Sequence, residues 1–297
     1  MPELITSPSN PKIKRLLALQ QKSSARREAG LFVVEGQREL QHCIDAGFTI
    51  DTVFVCPSLC GGAPGQTVTA SGNRATLGTV RGGTASAAQR WGPKDVSGGS
   101  WPSAGERLFE VSEEVYAKIA MRESTEGVIA EVRVKERTLE NLVLPERPLV
   151  MVLESVEKPG NLGAVLRSAD AAGADAVLLC DPLTDLWNPN LIRASIGAVF
   201  TVPCVACSSA EAIAFLKARG IRILTAQLQD SSLYYDCDMT VGTALVMGTE
   251  STGLTPQWRE AADAHIRIPM LGALDSLNVS VSAAILLFEA VRQRQNG

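Results

Sequence analysis

The strongest constraint in this sequence is an alternation of short apolar runs with helical patterns, which begins at residue 149 and continues to residue 294. Apolar runs that alternate with helices are typical of parallel strands buried on both faces. The predicted strands are LVMVLE (149–154), AVLLC (176–180), TVPCV (201–205), IRILTA (221–226), TALVMG (243–248) and HIRIP (265–269). The predicted helices are Asn161–Ala172, which Gly173 ends, 189–199, Glu211–Arg219 and Ser280–Arg294. We therefore predict an α/β fold with a mainly parallel sheet between two layers of helices.

The amino-terminal part predicts a second, smaller α/β module. LFVVEG (31–36), DTVFVC (51–56) and GVIAEVRV (127–134) are typical of strands, and a helix is predicted from Arg38 to Ala46. Residues 61–105 hold 11 of the 25 glycines and few large aliphatic side chains, so they bury too little apolar surface to offset the entropy of ordering. The predicted organisation is a domain over 1–135 with a mobile insert at 61–105, a linker over 136–148, and a second domain over 149–297.

Composition excludes several classes of protein. The chain has 297 residues, 45% of them hydrophobic, and a formal net charge of −4, which is ordinary for a folded domain and wrong for a disordered one. It contains no run of about 18 apolar residues and no amino-terminal export signal, so we expect a cytoplasmic protein outside the membrane. Seven scattered cysteines then indicate reduced thiols. With only two histidines, and no second cysteine pair to follow Cys204 and Cys207, no metal site is expected.

Basic residues concentrate at the amino terminus. Residues 1–30 carry six basic and two acidic side chains, whereas residues 151–297 carry 10 basic and 15 acidic ones. A basic segment on an acidic protein favours a polyanionic partner such as RNA, although the same pattern also fits a solvated helix face. The candidate RNA-binding residues are Lys12, Lys14, Arg15, Arg26 and Arg27.

Three loops that follow predicted strands share glycine, small polar residues and one or two functional side chains. They are ESVEKPGNLGAVLRSA (154–169), MGTESTGL (247–254) and IPMLGALDSLNVSVSAA (268–284). Ligands of parallel sheets bind at the carboxyl ends of the strands, so we expect the three loops to form one site. Each loop taken singly is also typical of an ordinary turn. Neither GxGxxG nor GxxxxGK[ST] occurs, which disfavours a nucleotide-dependent oxidoreductase or a P-loop protein.

These loops resemble the three motifs of the SpoU/TrmH family of SPOUT methyltransferases, in the family's order. The segments SPSNPKIKRLL, LFVVEG, VFVC and KIAMRESTEGVIAEV resemble the L30e-like substrate-binding domain of family members that act on ribosomal RNA. The resemblance implies methyl transfer from S-adenosylmethionine to a ribose 2′-hydroxyl in RNA. It also implies a trefoil knot in the carboxyl-terminal half and a homodimer with its active sites at the subunit interface. Apolar side chains of the last helix could contribute to that interface, namely Ala284, Leu287, Phe288 and Val291. The alternative is packing of this helix on its own sheet, and the two are compatible.

The resemblance also implies which residues hold the cofactor. Thr225, Gly248, Ile268 and Leu277 are expected to line the adenine slot, with Met270 and Gly272 nearby. A slot of this kind needs apolar walls and backbone polar groups, which turns after strands provide. The alternative for Ile268 and Leu277 is simple core packing.

The catalytic residues implied by the resemblance are Asn161, Arg167, Glu250, Ser276 and Asn278. Arg167 lies off the apolar stripe of its helix, so we expect it to anchor an RNA phosphate and to stabilise the developing alkoxide. A guanidinium hardly deprotonates in proteins, so it is not expected to act as the base. Glu250 is expected to hold Arg167 or a neighbouring backbone, and Ser276 and Asn278 to position substrate and cofactor. Asn161 and Ser280 could alternatively cap their helices.

The sequence is compatible with three functions. The amino-terminal module favours a methyltransferase that acts on 23S-type ribosomal RNA, because minimal family members that act on tRNA lack such a module. A tRNA 2′-O-methyltransferase is the first alternative. The second is a non-catalytic RNA-binding or ribosome-assembly factor of the same fold, which the complete set of catalytic residue types disfavours.

Overall fold

A computed structural model describes residues 2–60, 107–122, 126–249 and 252–296. The glycine-rich insert predicted at 61–105 therefore lies outside the described residues, and so does Glu250.

The amino-terminal residues form a five-stranded mixed sheet with strand order β1-β4-β3-β5-β2. Its strands are β1 (Glu3–Ile5), β2 (Leu31–Glu35), β3 (Ile50–Val55), β4 (Leu108–Val111) and β5 (Val128–Arg133). Its helices are α1 (Pro11–Gln21), α2 (Ser23–Ala29), α3 (Gln37–Asp45) and α4 (Glu113–Ile119). The strands around β5 are antiparallel and those around β4 are parallel. The predicted small α/β module is confirmed, although the three-residue strand β1 was not predicted.

The carboxyl-terminal residues form a seven-stranded sheet in the order β10-β12-β9-β11-β6-β7-β8, and every pair of neighbours is parallel. The strands are β6 (Leu149–Glu154), β7 (Ala176–Cys180), β8 (Cys204–Cys207), β9 (Arg222–Ala226), β10 (Ser232–Leu233), β11 (Thr243–Met247) and β12 (Ala264–Arg267). The helices are α5 (Pro159–Ala171), α6 (Pro189–Ala194), α7 (Ala198–Thr201), α8 (Ser209–Ala218), α9 (Pro256–Ala261) and α10 (Val279–Asn296), with a short 3₁₀ turn at Tyr234–Asp236. The predicted parallel α/β sheet is confirmed. Buried apolar clusters on its two faces hold α5 and α10 on one side and α8 and α9 on the other.

Two predicted elements are wrong. The helix predicted over 189–199 is two short helices, because Ile196 and Gly197 both adopt positive φ and end the first one. The strand predicted over 201–205 begins only at Cys204, since the preceding residues complete α7. Apolar residues at this density suit a helix and a strand equally, so periodicity alone does not locate the break.

One hydrophobic core joins the two sheets. Phe32 of β2 stacks on Trp187 with ring centroids 4.6 Å apart, and it also lies 5.9 Å from Phe200. Phe48 meets the ring of Phe200 edge-on at 5.4 Å. Aromatic side chains contribute large buried areas, so this cluster fixes the amino-terminal sheet against the carboxyl-terminal unit.

The segment predicted as a linker, 136–148, packs on the carboxyl-terminal unit. Leu139 is buried in the core on the α8 side of the large sheet. Arg137 donates hydrogen bonds to the carbonyls of Val202 and Phe200, both at 3.0 Å, at the end of α7. Burial lowers the pKa of this guanidinium, but its contacts with carbonyl oxygens at a helix end favour the charged form.

Candidate functional site

The carboxyl ends of β6, β9, β11 and β12 meet at one edge of the large sheet, as expected for parallel strands. Two cavities of about 160 Å³ each open at this edge. The first lies between the loops that follow β6 and β11 and the start of α10. The second lies between the loops that follow β9 and β12 and the inner face of α10. All three loops singled out in the sequence therefore contribute to one region of the surface.

Asn161 and Gly248 lie in the first cavity. In the described part of the chain, the lining consists of Ser155, Val156, Glu157, Lys158, Asn161, Gly248, Thr249 and Val279. Helix α5 already begins at Pro159, and Lys158 occupies the capping position, so the expectation that Asn161 caps this helix is wrong. The Oδ1 atom of Asn161 instead accepts a hydrogen bond from Nδ2 of Asn278 at 3.2 Å. This contact joins the first and third loops.

Asn278 has a second role as the cap of the last helix. Its Oδ1 accepts hydrogen bonds from the backbone N–H of Ser280 at 3.0 Å and from the Ser280 hydroxyl at 2.6 Å. The alternative that Ser280 caps this helix is therefore wrong, because the helix begins one residue earlier, at Val279. A capping side chain fixes the direction in which the chain enters the helix. Asn278 is therefore held by Ser280 at the start of α10 and by Asn161 at the start of α5.

Gly248 has no room for a side chain. A Cβ atom at this position would come within 2.6 Å of the backbone nitrogen of Leu254 and closer still to the carbonyl group of Gly253. Thr249 forms an isolated antiparallel bridge with Gly253, whose φ of +68° suits glycine. The backbone after β11 therefore folds back on itself directly at the wall of the first cavity.

The second cavity is mainly apolar and contains most of the residues expected around the cofactor. Ile268, Met270, Ser276 and Leu277 line it. The other lining residues are Ala226, Gln227, Leu228, Met247, Ile266, Arg267, Asp275, Ser282 and Leu286. Ser276 donates its hydroxyl to Asp275 at 3.2 Å. Gln227 and Met247 belong to segments expected at the site, 225–230 and 247–254, but no individual role was predicted for them, although each ends or follows a strand at this edge.

Two residues expected at the cofactor lie outside the cavity lining. The side chain of Thr225 is fully buried, and its hydroxyl lies 2.6 Å from Nδ1 of His265 on the neighbouring strand. Gly272 lies on an exposed turn, where a Cβ atom would meet nothing within 4 Å. Thr225 thus supports the wall of the site from behind, and Gly272 lies at its rim.

Arg167 lies on the exposed side of α5 and lines neither cavity. It follows Asn161 by six residues, which is about 9 Å along the helix axis. Its side chain forms no hydrogen bond or ion pair with the residues that the structure describes. Its guanidinium is therefore free to meet a partner that approaches the cavity from outside.

Apolar side chains are exposed around the second cavity and along α10. Leu271 is 97% exposed and Leu274 is 75% exposed, and both lie on the loop that follows β12. Val281 and Phe288, one heptad apart on α10, are about half exposed. Leu287 is fully buried in the protein's own core, so for this residue the alternative of packing on its own sheet applies and a place in a subunit interface does not.

The candidate RNA-binding side chains differ in availability. Lys14 and Arg27 are exposed, whereas Lys12 forms an ion pair with Glu3 at 3.0 Å and Arg15 forms one with the buried Glu131. Arg26 is 4% exposed and donates to Asp185 at 2.6 Å and to the carbonyl of Leu19 at 2.6 Å. The expectation that Arg26 binds RNA is therefore wrong, since it is a buried contact between the two units.

Among the described residues, no helix is both long and apolar enough to cross a bilayer. The same residues contain no group of three or more histidine, cysteine or acidic side chains arranged to bind a metal.

The sequence matches two known families and a curated relative. Residues 148–288 match the SpoU rRNA Methylase family, and residues 10–130 match the MRM3-like substrate binding domain. The chain is 38% identical over 175 residues to the 23S rRNA (guanosine-2′-O-)-methyltransferase RlmB of Vibrio parahaemolyticus, a match that covers 57% of this chain and 71% of that protein.

Solved structures also resemble the chain over nearly its whole length, and two of them are given as examples. A crystal structure of an RNA 2′-O ribose methyltransferase is 36% identical with a TM-score of 0.75, and the match covers 98% of this chain and 99% of that one. An AdoMet-bound rRNA methyltransferase from Sinorhizobium meliloti is 27% identical with a TM-score of 0.80, and the match covers 98% and 97% of the two chains.

Proposed function

Since the chain belongs to the SpoU rRNA methylase family, we propose that it transfers the methyl group of S-adenosylmethionine to a ribose 2′-hydroxyl of ribosomal RNA, with 23S-type RNA as the substrate. The observation that carries this proposal is the pair of adjacent cavities at the carboxyl edge of the sheet. A methyl transfer between two substrates needs two neighbouring sites, one for the donor and one for the acceptor. The hydrogen bond between Asn161 and Asn278 joins the first loop, which lines one cavity, to the third loop, which lines the other.

The second cavity suits the cofactor. Its apolar walls, which include Ile268, Met270 and Leu277, fit the flat faces of an adenine ring, and the turns around it offer backbone donors and acceptors. Gly248, in the wall of the neighbouring cavity, allows close approach of the backbone. Thr225 and Gly272 complete the proposed set, the first as a buried support and the second at the rim.

The protein's own residues then supply positioning and charge stabilisation, while the bound cofactor supplies an activated methyl group. Asn161 orients groups in the acceptor cavity, and Ser276 and Asn278 hold the third loop against both cavities. Arg167 binds an RNA phosphate and stabilises the ribose oxygen as negative charge develops on it. The proton leaves to water or to that phosphate. Glu250, outside the described residues, completes the proposed catalytic set. Holding two reactants in line is worth about 7–11 kcal/mol.

A homodimer is part of the proposal. Leu271 and Leu274 of the loop after β12 and Val281 and Phe288 of α10 are exposed, and monomeric proteins seldom leave large apolar patches in water. A second protomer on this surface would also bring new groups to the outer side of α5, where Arg167 lies. We further propose the trefoil knot of the family for the segment that ends in α10, and the cytoplasm as the compartment where ribosomal RNA is met.

Replacing Phe288 with glutamate is expected to convert the dimer to a monomer. The substitution places a charge on the exposed apolar side of α10 without disturbing the buried side of the helix. Sedimentation velocity measures the change. Val143→Glu is the matched control, because Val143 is 90% exposed and lies away from this surface. A wild-type protein that sediments as a monomer would overturn the dimer.

The double substitution Lys14→Ala and Arg27→Ala is expected to weaken RNA binding uniformly and to reduce the slope of log affinity against log salt by roughly 2, about one per lost phosphate contact. Fluorescence anisotropy with a labelled 23S rRNA fragment at several salt concentrations measures the slope. Arg26→Ala is the contrast, since loss of its contact with Asp185 lowers the melting temperature instead. An unchanged slope in the double variant contradicts the proposed RNA surface.

Substrate choice is tested with labelled cofactor and three unmodified RNA pools, namely 23S rRNA, 16S rRNA and tRNA. The proposal predicts label in 23S rRNA. Label in tRNA alone would favour the first alternative, and no label in any pool, with intact RNA binding, would favour a non-catalytic factor.

A further inference from the structure

We propose that Glu154 is a positioning residue for methyl transfer, because its buried carboxylate anchors the backbone against which the Gly248 turn is built. This inference rests on the function proposed above. Glu154 is the last residue of β6, in the middle of the large sheet, and it touches neither cavity itself.

The Glu154 carboxylate is held by the two donors of Thr255 and lies beside the Ser209 hydroxyl. Its Oε2 accepts the backbone N–H of Thr255 at 2.9 Å. Its Oε1 accepts the Thr255 hydroxyl at 2.6 Å and lies 3.2 Å from the Ser209 hydroxyl. The side chain is 2% exposed. A bidentate contact of this kind fixes both the position and the orientation of Thr255.

Glu154 also belongs to a hydrogen-bond network through Ser209. The Ser209 hydroxyl also lies 2.6 Å from Oδ2 of Asp181 and accepts the indole N–H of Trp258 at 3.0 Å. Among the described residues, no lysine, arginine or histidine forms an ion pair with Glu154 or Asp181. Burial of a carboxylate in such a place is costly, and an apolar side chain would pack there at lower cost. The specific geometry that the carboxylate imposes on Thr255 is therefore the property that explains its presence.

Thr255 is connected to the site through two residues. Gly253 and Leu254 precede it directly, and these are the backbone groups that approach Gly248 too closely for any side chain. The Gly253 N–H donates to the Thr249 carbonyl at 3.1 Å. Gly248 and Thr249 line the first cavity. On the other side, Ser155 follows Glu154 directly, adopts a φ of +52° and lines the same cavity. Glu154 therefore fixes two walls of the cavity at once.

Glu154→Gln is expected to lower kcat about 30-fold, since a misplacement of about 1 Å in a catalytic site can cost 100-fold. The amide keeps the shape of the side chain but turns one acceptor into a donor that faces the donors of Thr255. Thr255→Val, which removes the hydroxyl at constant shape, is expected to lower kcat about 10-fold, whereas Thr255→Ser keeps the hydroxyl and the activity. The double variant Glu154→Gln with Thr255→Val is expected to have the same kcat as Glu154→Gln alone, because both substitutions break the same contact between Glu154 and Thr255.

The control is Glu39→Gln. Glu39 lies on α3 and is similarly buried, and it forms an ion pair with Arg122. It is far along the chain from the strands of the large sheet. Both substitutions are expected to lower the melting temperature, and only the change at Glu154 is expected to lower kcat at a temperature where both proteins are folded. Equal kcat values in the two variants, or a Thr255→Ser protein as impaired as Thr255→Val, would overturn the positioning role.

Amide hydrogen exchange at Gly253 separates this inference from the proposed function. Loss of the anchor is expected to raise the exchange rate about 10-fold in Glu154→Gln and to leave it unchanged in Glu39→Gln. If the wild type transfers no methyl group, the proposed function fails and the role in methyl transfer fails with it, whatever the exchange rates. If the wild type is active and Glu154→Gln changes neither kcat nor exchange, only the positioning role fails.

Discussion

Replacing Arg167 with alanine is expected to lower kcat for methyl transfer by about 100- to 1,000-fold, the range typical of removing one group that stabilises developing negative charge. Affinity for S-adenosylhomocysteine should stay within about twofold of the wild type. The reason is the position of this side chain. Arg167 lines neither cavity and bonds to no residue in the described part of the chain, so its removal leaves the protein's own contacts intact. Single-turnover methyl transfer and calorimetric titration measure the two quantities separately.

The controls for Arg167 test charge and geometry in turn. Arg259→Ala removes an equally exposed arginine from α9 and should leave turnover unchanged. Arg167→Lys keeps the charge but loses the planar fork that binds phosphate in a bidentate manner, so it should recover only part of the lost rate. Wild-type turnover in Arg167→Ala would remove this arginine from the mechanism.

Replacing Gly248 with alanine is expected to abolish measurable methyl transfer and to lower the melting temperature by several degrees. The added methyl group would collide with the backbone of Gly253 and Leu254, and backbone cannot move away as a flexible side chain can. Overpacking of this kind typically costs about 1–3 kcal/mol. Differential scanning calorimetry and the same transfer assay measure the two effects.

Gly160→Ala is the matched comparison for Gly248. It lies in the first turn of α5, where a Cβ atom would meet nothing within 4 Å, and alanine is favoured over glycine in helices. This variant should fold at least as stably as the wild type and retain its turnover. If Gly248→Ala behaves in the same way, the close approach at Gly248 is not required for function.

Much of the fold could be predicted because local pattern and tertiary structure agree. The strands Leu149–Glu154 and Ala176–Cys180 were predicted to the residue, since each is an apolar run bounded by proline or by polar residues. The break at Ile196 and Gly197 could not be predicted, because a non-glycine residue with positive φ leaves no pattern in a sequence. The two-residue strand β10 is too short to show any period.

The candidate site could be predicted in outline from the order of the loops, but not in its contacts. The pairing of Asn161 with Asn278 joins residues 117 positions apart, and no local rule connects them. Arg26 illustrates the opposite error. In the sequence it belongs to a basic segment, yet its partner Asp185 lies 159 positions away and buries it. Glu154 was assigned to a strand because of its position, and only the tertiary contacts with Thr255 and Ser209 indicate its proposed role.

The central claim is that the two neighbouring cavities bring a methyl donor to a sugar oxygen of ribosomal RNA. The most direct test is complete nucleoside digestion of 23S rRNA after incubation with labelled cofactor, followed by mass spectrometry of the labelled nucleoside. We expect one nucleoside with the label on the ribose and an internucleotide bond that resists alkali before digestion, and at least about 100-fold slower formation of this product with Arg167→Ala. Label on a base, or none on any RNA with the wild-type protein, would contradict it.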